Sequence, residues 1–252
     1  MLGLLAIGGC AKQGRRLSTD GVEVDWARAM ELFNRERYYR AQQLLRDITL
    51  NYSGSAVIDS AYYYLGRTSF ELRDYLVAAD EFHRVVTRFP SSALAGDAAF
   101  YEALSYFELA PPYSLDQQYM TQSFDAFQRF LEDYSDHALK DSAYTYMAQA
   151  REQLGKKEYY AAELYYQIGE YASAVLYAKV VLADYYDTSQ AEHAQFLVGR
   201  SYYALKDWTR AREEFDNYLR RFPDGRHVWR AQGYMKAAGL REKAALTADS
   251  SQ

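Results

Sequence analysis

A 34-residue unit recurs along this chain and leaves the backbone little choice. Asp59–Ser92 reads as two helices joined by a tight turn. The first carries Tyr62, Leu65, Gly66 and Phe70, and Arg73-Asp74-Tyr75 forms the turn. The second carries Ala78, Phe82, Val85 and Phe89, and Pro90 stops it. Each apolar set returns at three and four residues, the helical period. Pro90 lacks an amide donor and pushes the residue before it out of α geometry. Gly66 and Ala78 are small where two helices of a hairpin must approach closely, and Tyr75 fills the wedge at the turn. The unit returns at Glu192–Gly225, where Gly66 is matched by Gly199, Tyr75 by Trp208, Ala78 by Ala211, Phe82 by Phe215 and Pro90 by Pro223.

This pattern resembles the tetratricopeptide (TPR) repeat, a helix–turn–helix that buries its apolar face only by stacking on neighbours. The fold expected is therefore all-α, a TPR solenoid of about five repeats with a C-terminal capping helix. Repeat 1 spans about Val22–Ser55, and repeat 3 starts near Asp97. In repeat 3 the spacing lengthens, and Pro111-Pro112 marks the surplus Ala110–Tyr119 as a loop before a second helix through Phe124, Phe127 and Phe130. Ala138–Gln167 reads as one long helix, with Gly155 the place for a bend, and its C-terminal part opens repeat 4. Val228–Leu246 is the capping helix. The expected organisation is a signal at 1–10, a tether at 11–21, halves at 22–137 and 138–246, and a tail at 247–252.

With 252 residues and 49% hydrophobic composition, the chain has ample material for a continuous core. Only four prolines and 14 glycines argue against disorder. The 26 tyrosines suit helix seams that are partly wet, because each joins an apolar body to a polar tip. A net charge of −5 argues against nucleic acid as a partner. No metal, cofactor or catalytic constellation is expected. The histidines, His83, His137, His193 and His227, lie far apart without ligand spacing, and each reads as solvated or capping. Adjacent acids such as Glu213-Glu214 point in different directions around a helix. An enzyme is not expected.

The N-terminus reads MLGLLAIGGC. Its apolar run ending in Ile-Gly-Gly-Cys resembles a bacterial lipobox, whose cysteine is acylated after cleavage. Small residues fit a peptidase cleft, and the thiol accepts the lipid. Nothing basic precedes the run, unlike an ordinary secretory signal, so an ordinary apolar N-terminus is the competing reading. Acylated Cys10 would carry the only covalent group expected, a membrane anchor of several chains. Residues 11–21 are polar and without period, as a tether would be.

Repeats and lipobox together resemble the BamD family, the TPR lipoproteins of the outer-membrane β-barrel assembly (BAM) machinery. More specific than the generic repeat positions are the loop with Leu115-Asp116-Gln117, the long helix through Leu154-Gly155 and Glu158-Tyr159, and Gly169-Glu170-Tyr171 after it. The resemblance implies an anchored scaffold on the periplasmic face of the outer membrane. It implies two partners: C-terminal segments of unfolded outer-membrane proteins, and the periplasmic domains of the barrel-forming subunit. The family often carries an Asn-Arg pair in the second helix of repeat 4, where this chain has Leu176-Tyr177, so that docking contact does not carry over. A periplasmic TPR adaptor for envelope or division machinery is the alternative. A cytoplasmic co-chaperone would need a Lys/Asn/Arg carboxylate clamp, of which only Asn34 and Arg67 are present.

In a TPR stack the first helix of each repeat lines the concave surface. The groove-facing positions are then Trp26, Met30 and Phe33, Tyr63, Arg67 and Phe70, and Tyr101 and Ser105. Aromatics would contact an extended segment, and Arg67 would pair with its carboxylate or a backbone carbonyl. Between Lys206 and Lys243 basic residues outnumber acidic ones, which marks Arg226, Arg230 and Lys236 as docking residues for an acidic partner surface.

Overall fold

A computed structural model of the chain describes residues 21–249. Cys10 and nearly all of the expected tether lie outside the described residues. Among the described residues there are eleven helices and no strand: α1 (Val22–Asn34), α2 (Tyr38–Asn51), α3 (Ile58–Glu71), α4 (Tyr75–Arg88), α5 (Ala95–Leu109), α6 (Gln118–Asp133), α7 (Lys140–Gln167), α8 (Tyr171–Asp184), α9 (Gln190–Ala204), α10 (Trp208–Arg221) and α11 (Val228–Asp249). No described helix is long and apolar enough to cross a membrane.

Four hairpins turn by one device. Glu36, Arg73 and Lys206 adopt positive φ of 58°, 63° and 63°, and Gly169 adopts 89°. Left-handed geometry there reverses the chain within three residues, and only one hairpin uses glycine for it. Two residues later an aromatic opens the second helix. Its ring meets an aromatic near the end of the first: Phe33–Tyr38 at 5.5 Å, Phe70–Tyr75 at 5.2 Å, Tyr166–Tyr171 at 5.3 Å and Tyr203–Trp208 at 5.1 Å. Two of these hairpins close on glycine. A Cβ on Gly66 would stand 2.8 Å from the Phe82 ring, and one on Gly199 would stand 2.7 Å from the Phe215 ring.

The helices form two compact units, one ending at Ala95 and one beginning at Gly96. In the first, Ala29, Leu45, Ile48, Ala61 and Leu65 form a core between α1, α2 and α3. In the second, Phe196, Leu197, Val198, Phe215 and Tyr218 centre a core reaching from α7 to α11. The division read from the sequence at 137/138 lies inside this second unit. Tyr146 of α7 stacks on Phe127 of α6 at 5.6 Å and meets Phe100 of α5 edge-on at 6.2 Å, so aromatic packing crosses that position.

The repeat-3 insertion is shorter than its sequence suggests, because α6 begins at Gln118. The Gln117 side-chain amide donates toward the carbonyls of Pro112 at 3.0 Å and Leu115 at 3.2 Å, while Asp116 accepts the Gln118 amide at 3.2 Å. Gln153 and Lys157 of α7 fasten the loop further, through Pro111 and Leu115 carbonyls. The long helix α7 runs unbroken through Gly155. Gly155 provides a close approach, since a Cβ there would lie 3.0 Å from Tyr185 Cβ. Helix α11 continues to Asp249, past the expected end of the cap at Leu246.

Candidate protein-binding surface

Six of the eight expected groove residues lie in the first unit, and the structure gives several of them work between helices. Trp26 packs edge-on against Tyr64 at 5.7 Å, and Phe33 against Tyr64 at 5.1 Å. Phe33 and Phe70 also fill the hairpin wedges described above. Met30 is half-buried. Tyr63 is buried, 5.8 Å from the Phe82 ring. Arg67 donates to the Tyr63 hydroxyl at 3.3 Å and to Glu71 at 3.5 Å. Its charge therefore already has a carboxylate one turn along the helix.

Tyr101 and Ser105 lie in the second unit. Tyr101 is half-buried beside Phe100. Ser105 is fully buried and donates its hydroxyl to the Tyr101 carbonyl at 2.6 Å, so it presents nothing to a ligand. This corrects its place in the groove. A small polar residue in a first helix can satisfy its own backbone instead of facing solvent.

The three expected docking residues do not form one patch. Arg226 is exposed in the turn before α11. Arg230 leans over the Phe196 ring at 5.1 Å, and Lys236 borders a shallow depression with Arg212 and Lys243. Six residues at 100° each turn Lys236 well away from Arg230. Part of the basic excess is also neutralised locally: Arg210 pairs with Asp207, Arg212 with Glu242 and Arg220 with Asp216.

The junction of α9, α10 and α11 holds a polar network absent from the sequence reading. Tyr218 donates to Glu192 at 2.7 Å and accepts the His227 amide at 2.9 Å, while the Arg226 amide donates to Glu192 at 2.5 Å. Burial pushes the Glu192 carboxyl up, but these donors outweigh it and hold the group below its usual range. The Tyr218 phenol is pushed up to about 12 by burial and by that carboxylate. His193 and His227, each expected to be solvated or capping, meet with ring nitrogens 3.0 Å apart. They are 34 residues apart, one repeat, so stacking brings equivalent positions together. Burial lowers the His227 pKa, and His193, Arg230 and Arg200 lower it further against the opposing pull of Glu192. Among the described residues no group of three or more His, Cys, Asp or Glu is placed to hold a metal.

One surface of the second unit combines cations with aromatics. Arg200 of α9 lies over the Tyr166 ring of α7 at 4.2 Å and 5.9 Å from the Phe196 centroid, with Arg230 of α11 on that same ring. Register would have found it. Gly66-Arg67 aligns with Gly199-Arg200, and Tyr63 with Phe196.

Comparison with known proteins places these hairpins. A tetratricopeptide-repeat profile matches residues 193–225, within the second of the two units that carry the repeat pattern. Solved structures with some likeness include a thermophilic TPR protein from Thermus thermophilus, at 17% identity over 86% of this chain and 98% of that one, with a TM-score of 0.36. Another is the Rap conjugation regulator of plasmid pLS20 in complex with the Phr* peptide, at 12% identity over 96% and 70%, with a TM-score of 0.36. A tetratricopeptide repeat protein from Parabacteroides merdae has 12% identity over 86% and 98%, with a TM-score of 0.26. At these scores none of the three carries an argument. No curated protein matches. The profile of the YfiO outer membrane lipoproteins, the BamD family, matches residues 23–206, from the start of α1 to the turn after α9. This chain, built of TPR-type hairpins, belongs to the YfiO family of outer membrane lipoproteins.

Proposed function

We propose that this protein is a lipid-anchored scaffold on the periplasmic face of the outer membrane. It binds extended segments of unfolded outer-membrane proteins along its first helices, and it docks the barrel-forming subunit of the assembly machinery. The observation that carries this reading is the family match over residues 23–206. The Ile-Gly-Gly-Cys sequence ending at Cys10 supports the anchor. Arginine beside aromatic rings at one register of the first helices, in Arg67 with Tyr63 and Arg200 with Tyr166, supports capture of segments rich in aromatics and ending in a carboxylate. Arg226 and Arg230, at the head of α11, supply positive charge for an acidic docking surface.

Two measurements test the proposal. Radioactive fatty acid should label the wild-type protein in a lipoprotein-processing host and not label Cys10→Ser. Unlabelled wild-type protein would remove the anchor. The barrel-forming subunit should co-purify with wild-type protein, and the double reversal Arg226→Glu with Arg230→Glu should deplete it. Equal recovery from both would reject this docking surface.

A further inference from the structure

We propose that Arg200 and Arg230 form the carboxylate receptor of the second unit, and that they take the carboxylate of an extended peptide segment. The inference rests on the binding role proposed above and assigns part of it a site.

Two arginines occupy one register of the first helices. Arg67 in α3 and Arg200 in α9 both follow the glycine that admits the second helix. Four residues after Arg67 stands Glu71, which accepts from its guanidinium at 3.5 Å. Four residues after Arg200 stands Ala204, so the intrahelical partner is missing. Among the described residues Arg200 makes neither a salt bridge nor a side-chain hydrogen bond, and its buried Nε–H has no acceptor. The side chain is held by ring faces instead, Tyr166 at 4.2 Å and Phe196 at 5.9 Å. Arg230 is in the same condition: half-buried, over Phe196 at 5.1 Å, with no carboxylate partner among the described residues.

Position makes the pair a receptor. Tyr166, Arg200 and Arg230 come from α7, α9 and α11, which pack in succession and stand at the first-helix position of consecutive repeats. Such helices present one continuous face to a ligand. Arg230 occupies the place that Phe196 holds one repeat earlier, 34 residues before. The cost of half-burying two guanidinium groups falls when a bidentate oxyanion supplies acceptors. The neighbouring Glu192 is otherwise engaged, accepting from Tyr218 and the Arg226 amide. His193 and His227 bond one another beside Phe196. A carboxylate therefore meets two arginines that make no salt bridge among the described residues. Tyr166 offers a flat wall to an apolar neighbour of that carboxylate.

The carboxylate can be a chain terminus or an aspartate or glutamate side chain, and peptide chemistry separates them. Fluorescence anisotropy would use the full chain and three labelled ten-residue peptides of extended, aromatic-rich sequence: one ending in Phe as the free acid, its C-terminal amide, and the amide with one internal Asp. Wild-type protein should bind the free acid, or the Asp peptide, about 10- to 100-fold more tightly than the plain amide, the range for charge-assisted hydrogen bonds. Arg200→Gln and Arg230→Gln should each bring the preferred peptide toward the amide's affinity and leave the amide unchanged. Arg200→Lys, which keeps the charge but loses the planar fork, should recover only part of it. The helical content and melting midpoint of each variant would be compared with wild type, and Arg200→Lys reports on the site even if Arg200→Gln unfolds. Retained acid preference in both glutamine variants, equal affinity for all three peptides, or no binding by the wild type would overturn the proposal. Loss of that preference in Arg67→Gln alone would overturn this site while leaving peptide capture intact. Co-purification of the barrel-forming subunit with the single variant Arg226→Glu, which leaves Arg200 and Arg230 in place, reads the wider scaffold role separately.

Discussion

Gly199→Ala places one methyl group in the tight seam between α9 and α10. Its Cβ would stand 2.7 Å from Phe215 Cε1 and 2.9 Å from Cδ1. Phe215 is fully buried, stacked on Tyr234 at 5.2 Å with an interplanar angle of 9° and tilted against Phe196 at 5.8 Å. Its ring cannot swing aside without displacing both neighbours, and overpacking of this kind costs about 1–3 kcal/mol. Against that, alanine in place of glycine in a helix interior gains about 1 kcal/mol. Gly233→Ala in α11 isolates the gain, because a Cβ there meets nothing within 4 Å. Gly233→Ala should therefore stabilise the protein, while Gly199→Ala should be neutral or destabilising by up to about 2 kcal/mol. At about 2–4 °C per kcal/mol for a chain of this size, the two variants should melt roughly 2–12 °C apart, followed by circular dichroism. Phe215→Leu in the Gly199→Ala background should cost less than on its own, because it makes room for the new methyl. If Gly199→Ala raised the melting midpoint as much as Gly233→Ala, the account of how these hairpins close would be wrong.

Other variants probe the remaining devices. The His227 pKa is lowered by folding, so its contribution to stability is complete above the unfolded value of about 6.5 and is lost as pH falls through the folded value. The melting midpoint should drop between pH 7.5 and 5.5, and His227→Phe, which keeps the ring on Phe196, should flatten that drop. An unchanged slope would exclude His227 as its source. Glu192→Ala removes the acceptor of the Tyr218 hydroxyl and should cost about 1–3 kcal/mol by urea unfolding, and Tyr218 should ionise at lower pH in an ultraviolet titration. Lys206→Gly relieves a side chain held at φ 63° and should stabilise by up to about 1 kcal/mol, whereas Gly169→Ala, starting from φ 89°, should destabilise by a similar amount; the opposite order would refute the left-handed turn.

The hairpins are legible in the sequence because their signals are local and repeated. Apolar spacing, Gly66 and Gly199, the turn aromatics and the prolines each report on residues a few positions away. The start of α6 is hidden because Gln117 acts through carbonyls gathered by its side chain, which leaves no period in the sequence. Tyr146 obscures the unit boundary in the same way, since nothing in a lone tyrosine announces that it will stack on Phe127. The surface is less legible than the fold. Repeat position alone assigns first-helix aromatics to solvent, yet Trp26 and Phe33 are taken up by Tyr64, and Ser105 by its own backbone. The signals for Arg200 and for the histidine contact are present as a one-repeat register, and they emerge when equivalent positions are compared for what differs, Ala204 against Glu71, as well as for what matches.

The most direct test of the scaffold account is calorimetric titration of the purified chain, beginning at Cys10→Ser to remain soluble, with the purified periplasmic domains of the barrel-forming subunit. The account predicts a saturable one-to-one complex that weakens as salt rises and is weakened further by reversing Arg226 and Arg230. No heat of binding at low salt would contradict it and leave an outer membrane lipoprotein whose partner lies elsewhere.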